Sequence, residues 1–250
     1  AADSRTTSSI INVAYFDTVR DEQEAIRQIG VSRQIQLDFY WVRSGEFANQ
    51  SRIDPSIFEP GRYDVFIIGD VPAEAFGEAL LRQMALRVDE GAGLMMTGGL
   101  FSFAPGGYTN SPIDALLPVK LDAREVQNDG LIATDLHYDE DLHMRPTEAG
   151  ANHSIMRLAT VNNREQWAAL PPLRGANKLQ AKNPLVQVLA TSSEGADLLF
   201  AVDTSNTRTL AFAGDSTWRW CFPWQSGTTD FRAEHQRFWR QVILWLSRKE

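Results

Sequence analysis

The chain has 250 residues, of which 43% are hydrophobic and 22% are charged, and these values exclude a wholly disordered protein. Its 24 basic and 32 acidic residues give a net charge of −8, which argues against nucleic acid and an anionic membrane surface as partners, because both require a cationic footprint. No run approaches the roughly 18 apolar residues needed to span a bilayer, and the single cysteine, Cys221, excludes an internal disulfide.

The first hundred residues alternate between predicted strands and helices. Residues 1–9 are small and polar and are predicted to be a disordered linker. Apolar, β-branched runs predict strands at 10–16, 35–42, 63–70 and 93–99. Helices are predicted at 17–30, which Gly30 would end, and at 73–89, which Pro72 would open. This alternation is typical of a doubly wound parallel sheet.

The middle and the end of the chain differ in pattern. Residues 103–180 are rich in Pro, Gly, Asn and Asp and predict a loop-rich insertion that lies over the carboxyl edge of the sheet. Three further strands are predicted at 184–190, 197–203 and 208–215, the last two forming an antiparallel hairpin. A helix with one apolar face closes the chain at 231–250. Without an obvious linker inside 10–250, these residues are predicted to be a single α/β domain.

The glycine pair that ends the fourth strand raises the question of a nucleophile. Hydrolases with a G-x-[SC]-x-G elbow place Ser or Cys after such a strand. A frame that starts at Gly98 centres on Leu100, and one that starts a residue earlier centres on Gly99, neither of which can attack a carbonyl. Ser102 is the nearest hydroxyl, but it lies two residues late. The pattern predicts a glycine turn without a nucleophile.

Several other side chains should meet at the carboxyl edge, the usual ligand site of such a sheet. Asp70 ends the third strand and Asp215 the last, shortly before Trp218 and Trp220. Acids beside indoles suit a carbohydrate or peptide, and two carboxyl groups could form a glycosidase pair. The alternative is structural, with Asp215 capping a turn and the tryptophans covering the terminal helix. The ligand-binding candidates are Asp70, Gly98, Gly99, Phe101, Tyr108, Asp215, Trp218, Arg219 and Trp220.

Three remaining features favour structural roles. His235 lies on the apolar face of the last helix, which favours a hydrogen-bonded core residue, with Asp215 as the expected partner. Cys221 lies among aromatic residues, which raise a thiol pKa and make it an inert packing residue. The stretch 137–143, HYDEDLH, has no standard zinc spacing, so neither a metal site nor a cofactor is predicted.

Taken together, several segments resemble the class I glutamine amidotransferase-like domains of bacterial proteins, which often end membrane-anchored polypeptides. The matching stretches are 63–73, 93–108, 111–119, 170–179, AFAGDSTWRW at 211–220 and HQRFWRQVILWL at 235–246. The resemblance implies a flavodoxin-like sheet. It also implies an elbow Cys and a late His-x-Glu motif for catalysis, and this sequence contains neither.

The functional expectation is therefore a catalytically silent domain. It would serve as a binding or assembly module of a larger bacterial protein, as a soluble domain of a membrane-anchored chain. Its partners would be another protein or other domains of the same polypeptide, with a small molecule or carbohydrate as a further ligand. The alternative is a hydrolase acting on an amide or a carbohydrate, which would use Asp215, Asp70 or Ser102 together with His235.

Overall fold

The computed structural model describes residues 10–43, 50, 52–127, 131–222 and 229–250. Within these ranges the strands are β1 (Ile11–Asp17), β2 (Ile35–Trp41), β3 (Val65–Ile68), β4 (Gly93–Thr97), β5 (His137–Leu142), β6 (Met144–Pro146), β7 (Leu173–Asn177), β8 (Gln187–Ser192), β9 (Asp197–Asp203) and β10 (Arg208–Phe212). The α-helices are α1 (Asp21–Arg27), α2 (Gly77–Asp89), α3 (Glu148–Ala151), α4 (Asn163–Ala169), α5 (Trp218–Cys221) and α6 (Arg232–Leu246).

Eight of these strands form one sheet in the order β2-β1-β3-β4-β10-β9-β8-β6. The first five are parallel, and their order corresponds to the flavodoxin-like 2-1-3-4-5 arrangement of a doubly wound sheet. From β10 onward the pairing is antiparallel, beginning with the β9–β10 hairpin. The predicted fold class, a mostly parallel flavodoxin-like α/β sheet with a late antiparallel hairpin, is confirmed.

The sheet is covered by helices on both faces. Alternate residues of β1 enter two different apolar clusters, Val13 in one and Ala14 in the other, as the two-residue period of a strand requires. The first cluster includes the apolar stripe of α6, and the second includes that of α2, with Met84 at its centre. Burial on both faces explains why the parallel strands are almost continuously apolar.

The region 103–180 contains more regular structure than its composition indicates. β5 and β7 form a separate antiparallel two-stranded sheet, and β6 extends the main sheet beside β8. β7 then reaches the carboxyl ends of the parallel strands, because the backbone N–H of Asn177 donates to the carbonyl of Ala213 at 2.9 Å. The small sheet therefore forms one wall at this edge.

Several predicted elements are longer than the observed ones. The first helix begins only at Asp21, because β1 continues to Asp17 and the backbone of Arg20, just before the helix, is extended. The last strand ends at Phe212, and residues 213–217 continue along that same edge. The predicted disordered linker at 1–9 lies outside the described residues, and the single domain over 10–250 stays a prediction. None of the described helices combines the length and apolarity needed to cross a bilayer.

Candidate functional site

The carboxyl edge of the parallel strands is organised around a partly buried arginine, Arg20. Asp17, the last residue of β1, is fully buried, and both of its carboxylate oxygens lie 3.0 Å from Nε of Arg20. The same carboxylate accepts the backbone N–H groups of Thr18 at 2.8 Å and Asp70 at 2.9 Å, and the hydroxyl of Tyr15 donates to it. These contacts hold the Asp17 carboxylate in one orientation, and the carboxylate in turn fixes the guanidinium of Arg20.

Arg20 connects three strand ends. Its Nη1 lies 2.9 Å from Oδ2 of Asp215, beyond β10, and 3.3 Å from the carbonyl oxygen of Gly98, beyond β4. Burial lowers the pKa of Arg20, but the carboxylates of Asp17 and Asp215 outweigh it and raise the pKa well above its usual value. Arg20 is therefore a permanent cation within the edge.

Asp70 faces the glycine turn that follows β4. Its Oδ1 accepts the backbone N–H of Phe101 at 2.6 Å. A Cβ at Gly99 would lie only 2.4 Å from that oxygen, so no residue with a side chain fits there without a shift. Burial raises the pKa of Asp70 to about 6, although Arg20 and the Phe101 N–H act in the opposite direction.

The turn is clamped from the other side by β7. Asn177 is 2% exposed, and its side-chain amide accepts the N–H of Gly99 at 2.9 Å and donates to the carbonyl of Gly99 at 3.0 Å. A Cβ at Gly98 would lie 2.1 Å from the carbonyl oxygen of Ala213, so the ends of β4 and β10 meet in backbone contact. The glycine pair makes this close approach possible.

The elbow position carries no nucleophile. Leu100 follows the glycine pair and lines the cavity described below. Ser102 is fully buried and its hydroxyl donates to the carbonyl of Gly69 at 3.1 Å. Cys221 is buried in a separate small cluster, where burial raises the pKa of its thiol to about 12. Neither side chain is an activated nucleophile at neutral pH.

His235 has a different partner from the one predicted. Its Nε2 lies 3.1 Å from the hydroxyl of Thr217, whereas Asp215 pairs with Arg20. The Thr217 hydroxyl also donates to Glu22 at 2.7 Å and accepts from Nε1 of Trp239 at 3.0 Å. Burial lowers the pKa of His235 to about 3, so the ring is neutral. The expected His235–Asp215 pair was wrong because Asp215 faces the open edge and His235 the core.

Of the predicted aromatic and arginine candidates, Trp218 lines the cavity described below, whereas Trp220, Arg219 and Tyr108 do not. Trp218 lines the cavity, and its backbone N–H donates to Glu22 at 2.8 Å. Trp220 is 1% exposed, and its indole N–H donates to the carbonyl of Pro171. Arg219 pairs with Asp141 at 2.8 Å. Tyr108 is fully buried, with its hydroxyl on the carbonyl of Val71.

A cavity of about 380 Å³ opens at this edge. The predicted candidates that line it are Asp70, Gly99, Asp215 and Trp218. The predicted candidates absent from its lining are Gly98, Phe101, Ser102, Tyr108, Arg219, Trp220 and His235. The structure adds lining residues that sequence reasoning missed, among them Arg20, Glu22, His137, Arg174 and Asn177.

The missed residues had weak signals in the sequence. Arg20 and Glu22 lie in the stretch DTVRDEQE, at the start of a predicted helix. Charged residues at such a position are typical of a solvent-exposed surface and do not indicate a cavity. His137 and Asp139 belong to the HYDEDLH stretch, whose spacing indicates neither a zinc site nor a place in a cavity wall. Among the described residues, no group of three or more His, Cys, Asp or Glu side chains is arranged to hold a metal ion.

A glycine turn beyond a parallel strand, set in a flavodoxin-like sheet with a cavity at its carboxyl edge, defines a doubly wound α/β domain. Residues 61–248 match the family described as "Putative glutamine amidotransferase", and the chain belongs to that family. The predicted resemblance is confirmed. No curated protein has a matching sequence.

Solved structures share the fold at low sequence identity. A ThuA-like protein from Bacteroides uniformis gives a TM-score of 0.51 at 10% identity, over 97% of this chain and 94% of that one. The carbohydrate deacetylase Agd3 gives 0.53 at 11% identity, over 96% of this chain and 33% of that one. A β-galactosidase from Rahnella sp. R3 gives 0.51 at 10% identity, over 94% and 31%. The chain thus spans about a third of the length of these two enzymes.

Proposed function

We propose that this chain is a catalytically silent amidotransferase-like domain that serves as a binding or assembly module of a larger bacterial protein. One observation carries the proposal, namely that the elbow after β4 has Leu100 where a nucleophile would stand. Amide hydrolysis through an acyl-enzyme requires an activated Ser or Cys beside a general base. Ser102, Cys221 and His235 are buried, and the contacts described above do not join them into such a unit.

The carboxyl-edge cavity is the proposed binding site. It is lined by fixed polar groups around Arg20 and by Trp218, which together suit a small polar molecule or a carbohydrate. A protein partner, or another domain of the same polypeptide, would then bind to the ligand-bound form of this domain, or would bind to the domain whether or not a ligand is present. The Arg20–Asp17–Asp215 ion pairs preorganise the cavity before any ligand arrives.

A second candidate function rests on two carboxyl groups. Asp70 and Asp215 line the same cavity, and burial raises the pKa of both, that of Asp70 to about 6. Acid–base hydrolysis uses a pair of carboxyl groups whose environments differ, and here Arg20 forms a salt bridge with Asp215 but not with Asp70. This candidate needs neither Ser102 nor His235, unlike the hydrolase first considered from the sequence.

Hydrolysis assays separate the two functions. The protein would be tested on L-glutamine, p-nitrophenyl acetate and p-nitrophenyl glycosides, beside Ser102→Ala, Cys221→Ala, Asp70→Asn and Asp215→Asn. A silent domain gives the buffer rate in every case. Turnover in the natural sequence that disappears in Asp70→Asn or Asp215→Asn, with the circular dichroism spectrum unchanged, would establish the hydrolase instead.

A further inference from the structure

The cavity has more negative than positive charge at its base. Three carboxyl groups, those of Asp17, Asp70 and Asp215, interact electrostatically with the one guanidinium of Arg20, whereas burial raises the pKa of the fourth, Glu22, to about 7. The carboxylate of Asp17 accepts hydrogen bonds from Nε and Nη2 of that guanidinium, and the carboxylate of Asp215 accepts one from Nη1. A single cation shared in this way leaves the base of the cavity with an uncompensated negative charge.

Because Arg20 pairs with Asp17 and Asp215, the third carboxylate, that of Asp70, has no salt bridge among the described residues. Its Oδ1 accepts the N–H of Phe101, and within the described residues no basic side chain pairs with it. Arg174, the other arginine of the lining, lies exposed at the rim, where solvent screens its charge. An anionic ligand would therefore meet repulsion at the base, and a cationic one would meet attraction.

A second observation, independent of the acids, indicates a ligand in the same cavity. His137 on β5 lines it and is only 6% exposed. Its Nε2 has no hydrogen-bond partner. Buried polar atoms are normally hydrogen-bonded, so a buried ring nitrogen without a partner at a cavity wall is a position for a ligand atom. Burial lowers the pKa of His137, which keeps the ring neutral and able to accept a hydrogen bond.

We infer that the cavity binds a ligand with an ammonium group, which lies against the carboxylate of Asp70, while Nε2 of His137 bonds to a neighbouring hydroxyl or N–H of the same ligand. This inference rests on the proposed binding function and specifies the chemistry of its ligand. Leu100 and Trp218, which also line the cavity, are apolar residues available to the remainder of the molecule. The ammonium group supplies the positive charge that Arg20 alone does not provide for Asp17, Asp70 and Asp215.

Matched pairs of probes test the charge requirement directly. Glucosamine would be compared with glucose, and ethanolamine with ethylene glycol, by isothermal titration calorimetry near neutral pH. Each pair differs in one ammonium group against one hydroxyl. We expect the ammonium member to bind at least about tenfold more tightly. Asp70→Asn keeps an acceptor for the Phe101 N–H and removes the charge, so it should abolish this preference.

The control variant is Asp141→Asn, which removes a carboxylate from an arginine pair outside the cavity and should leave the preference intact. Equal binding of both members of each pair would overturn the inference and leave the proposed binding function standing. An ammonium preference that survives Asp70→Asn would also overturn it. Failure of all four probes to bind the natural sequence would count against both the inference and the cavity as a binding site.

Discussion

Arg20 is the residue on which the geometry of the carboxyl edge depends. It joins β1, β4 and β10 through contacts to Asp17, Gly98 and Asp215. Its side chain is 16% exposed, whereas that of Asp17 is completely buried. Removing the guanidinium would leave a buried carboxylate without its counter-ion, which is a far larger loss than removing a surface ion pair.

We therefore expect Arg20→Met to lower the free energy of unfolding by about 3 kcal/mol, as is typical when one partner of a buried pair is removed. Urea denaturation near neutral pH measures the change. Arg82→Met is the matched control, because Arg82 pairs with Glu78 on the exposed face of α2. It should change stability by less than about 0.5 kcal/mol. Equal effects of the two substitutions would contradict the role given to Arg20.

Glu22 makes stability depend on pH in a defined direction. Burial raises its pKa from 4.5 to about 7, despite the hydrogen bonds from Thr217 and Trp218. Between these pH values the folded protein retains a proton that the unfolded chain has released. The Glu22 contribution is therefore fully present below pH 4.5 and is lost as the pH rises through 7. His235, whose pKa is lowered, acts in the opposite direction.

Glu22→Gln should remove this dependence. The free energy of unfolding of the variant minus that of the natural sequence should rise by on the order of 2 kcal/mol between pH 4.5 and pH 8. The His235 contribution is common to both proteins and cancels in the difference. Denaturant titrations across this range measure it. Glu24→Gln, at an exposed position of the same helix, should give a flat difference. A flat difference for Glu22→Gln would refute the assigned burial effect.

At this scale the sequence predicted the acids Asp70 and Asp215 better than their partners. The end of an apolar strand is a local signal, and it placed both residues at the edge. Arg20 pairs with a residue 195 positions away, and no local pattern contains that information. The same is true of His235, whose polar neighbour is set by how α5 packs beside α6.

Among the secondary-structure elements, the adjoining ends of β4 and β10 control the shape of the edge. Gly98 N–H donates to the carbonyl of Gly214 at 3.1 Å, so the two chains continue side by side beyond the strands. A Cβ at Gly98 would meet the backbone of Ala213 at 2.1 Å. A backbone atom cannot move aside as the end of a flexible side chain can.

Gly98→Ala should therefore separate these strand ends and lower the midpoint of thermal unfolding by several degrees, corresponding to about 2 kcal/mol or more. Differential scanning calorimetry gives the midpoint. Gly30→Ala is the control, since a Cβ there would lie 3.1 Å from the Cβ of Leu37, a contact that a small shift relieves. Our account of the edge fails if Gly98→Ala is as well tolerated as Gly30→Ala.

Element types were predicted well because the parallel strands are buried on both faces and read as unbroken apolar runs. The insertion was predicted poorly for the opposite reason. The middle of β5 is exposed and consists of three consecutive acidic residues. The strand therefore lacks the apolar alternation from which its pairing with β7 could be predicted. Hydrophobic periodicity therefore could not predict the cavity wall that β5 and β7 form.

For the whole molecule, the family fold and the site diverge. The chain belongs to the amidotransferase-like family and has a flavodoxin-like sheet, whereas the residue that follows the glycine pair is Leu100. A fold hosts many functions, and the chemistry is decided by the side chains at the site. Here those side chains form a polar cavity around Arg20, and this is why we propose binding rather than turnover.

One NMR titration tests ligand binding by the cavity and the absence of catalytic turnover in the same sample. Backbone amide signals of Gly99, Gly175 and Asn177, which line the cavity, would be followed while L-glutamine and the four amine and hydroxyl probes are added. The proton spectrum of the same sample would report any product. We predict saturable shifts of these cavity amides for the ammonium probes, with no product from any compound. Accumulating glutamate or another product, or shifts confined to amides remote from the cavity, would contradict the proposal of a silent binding domain.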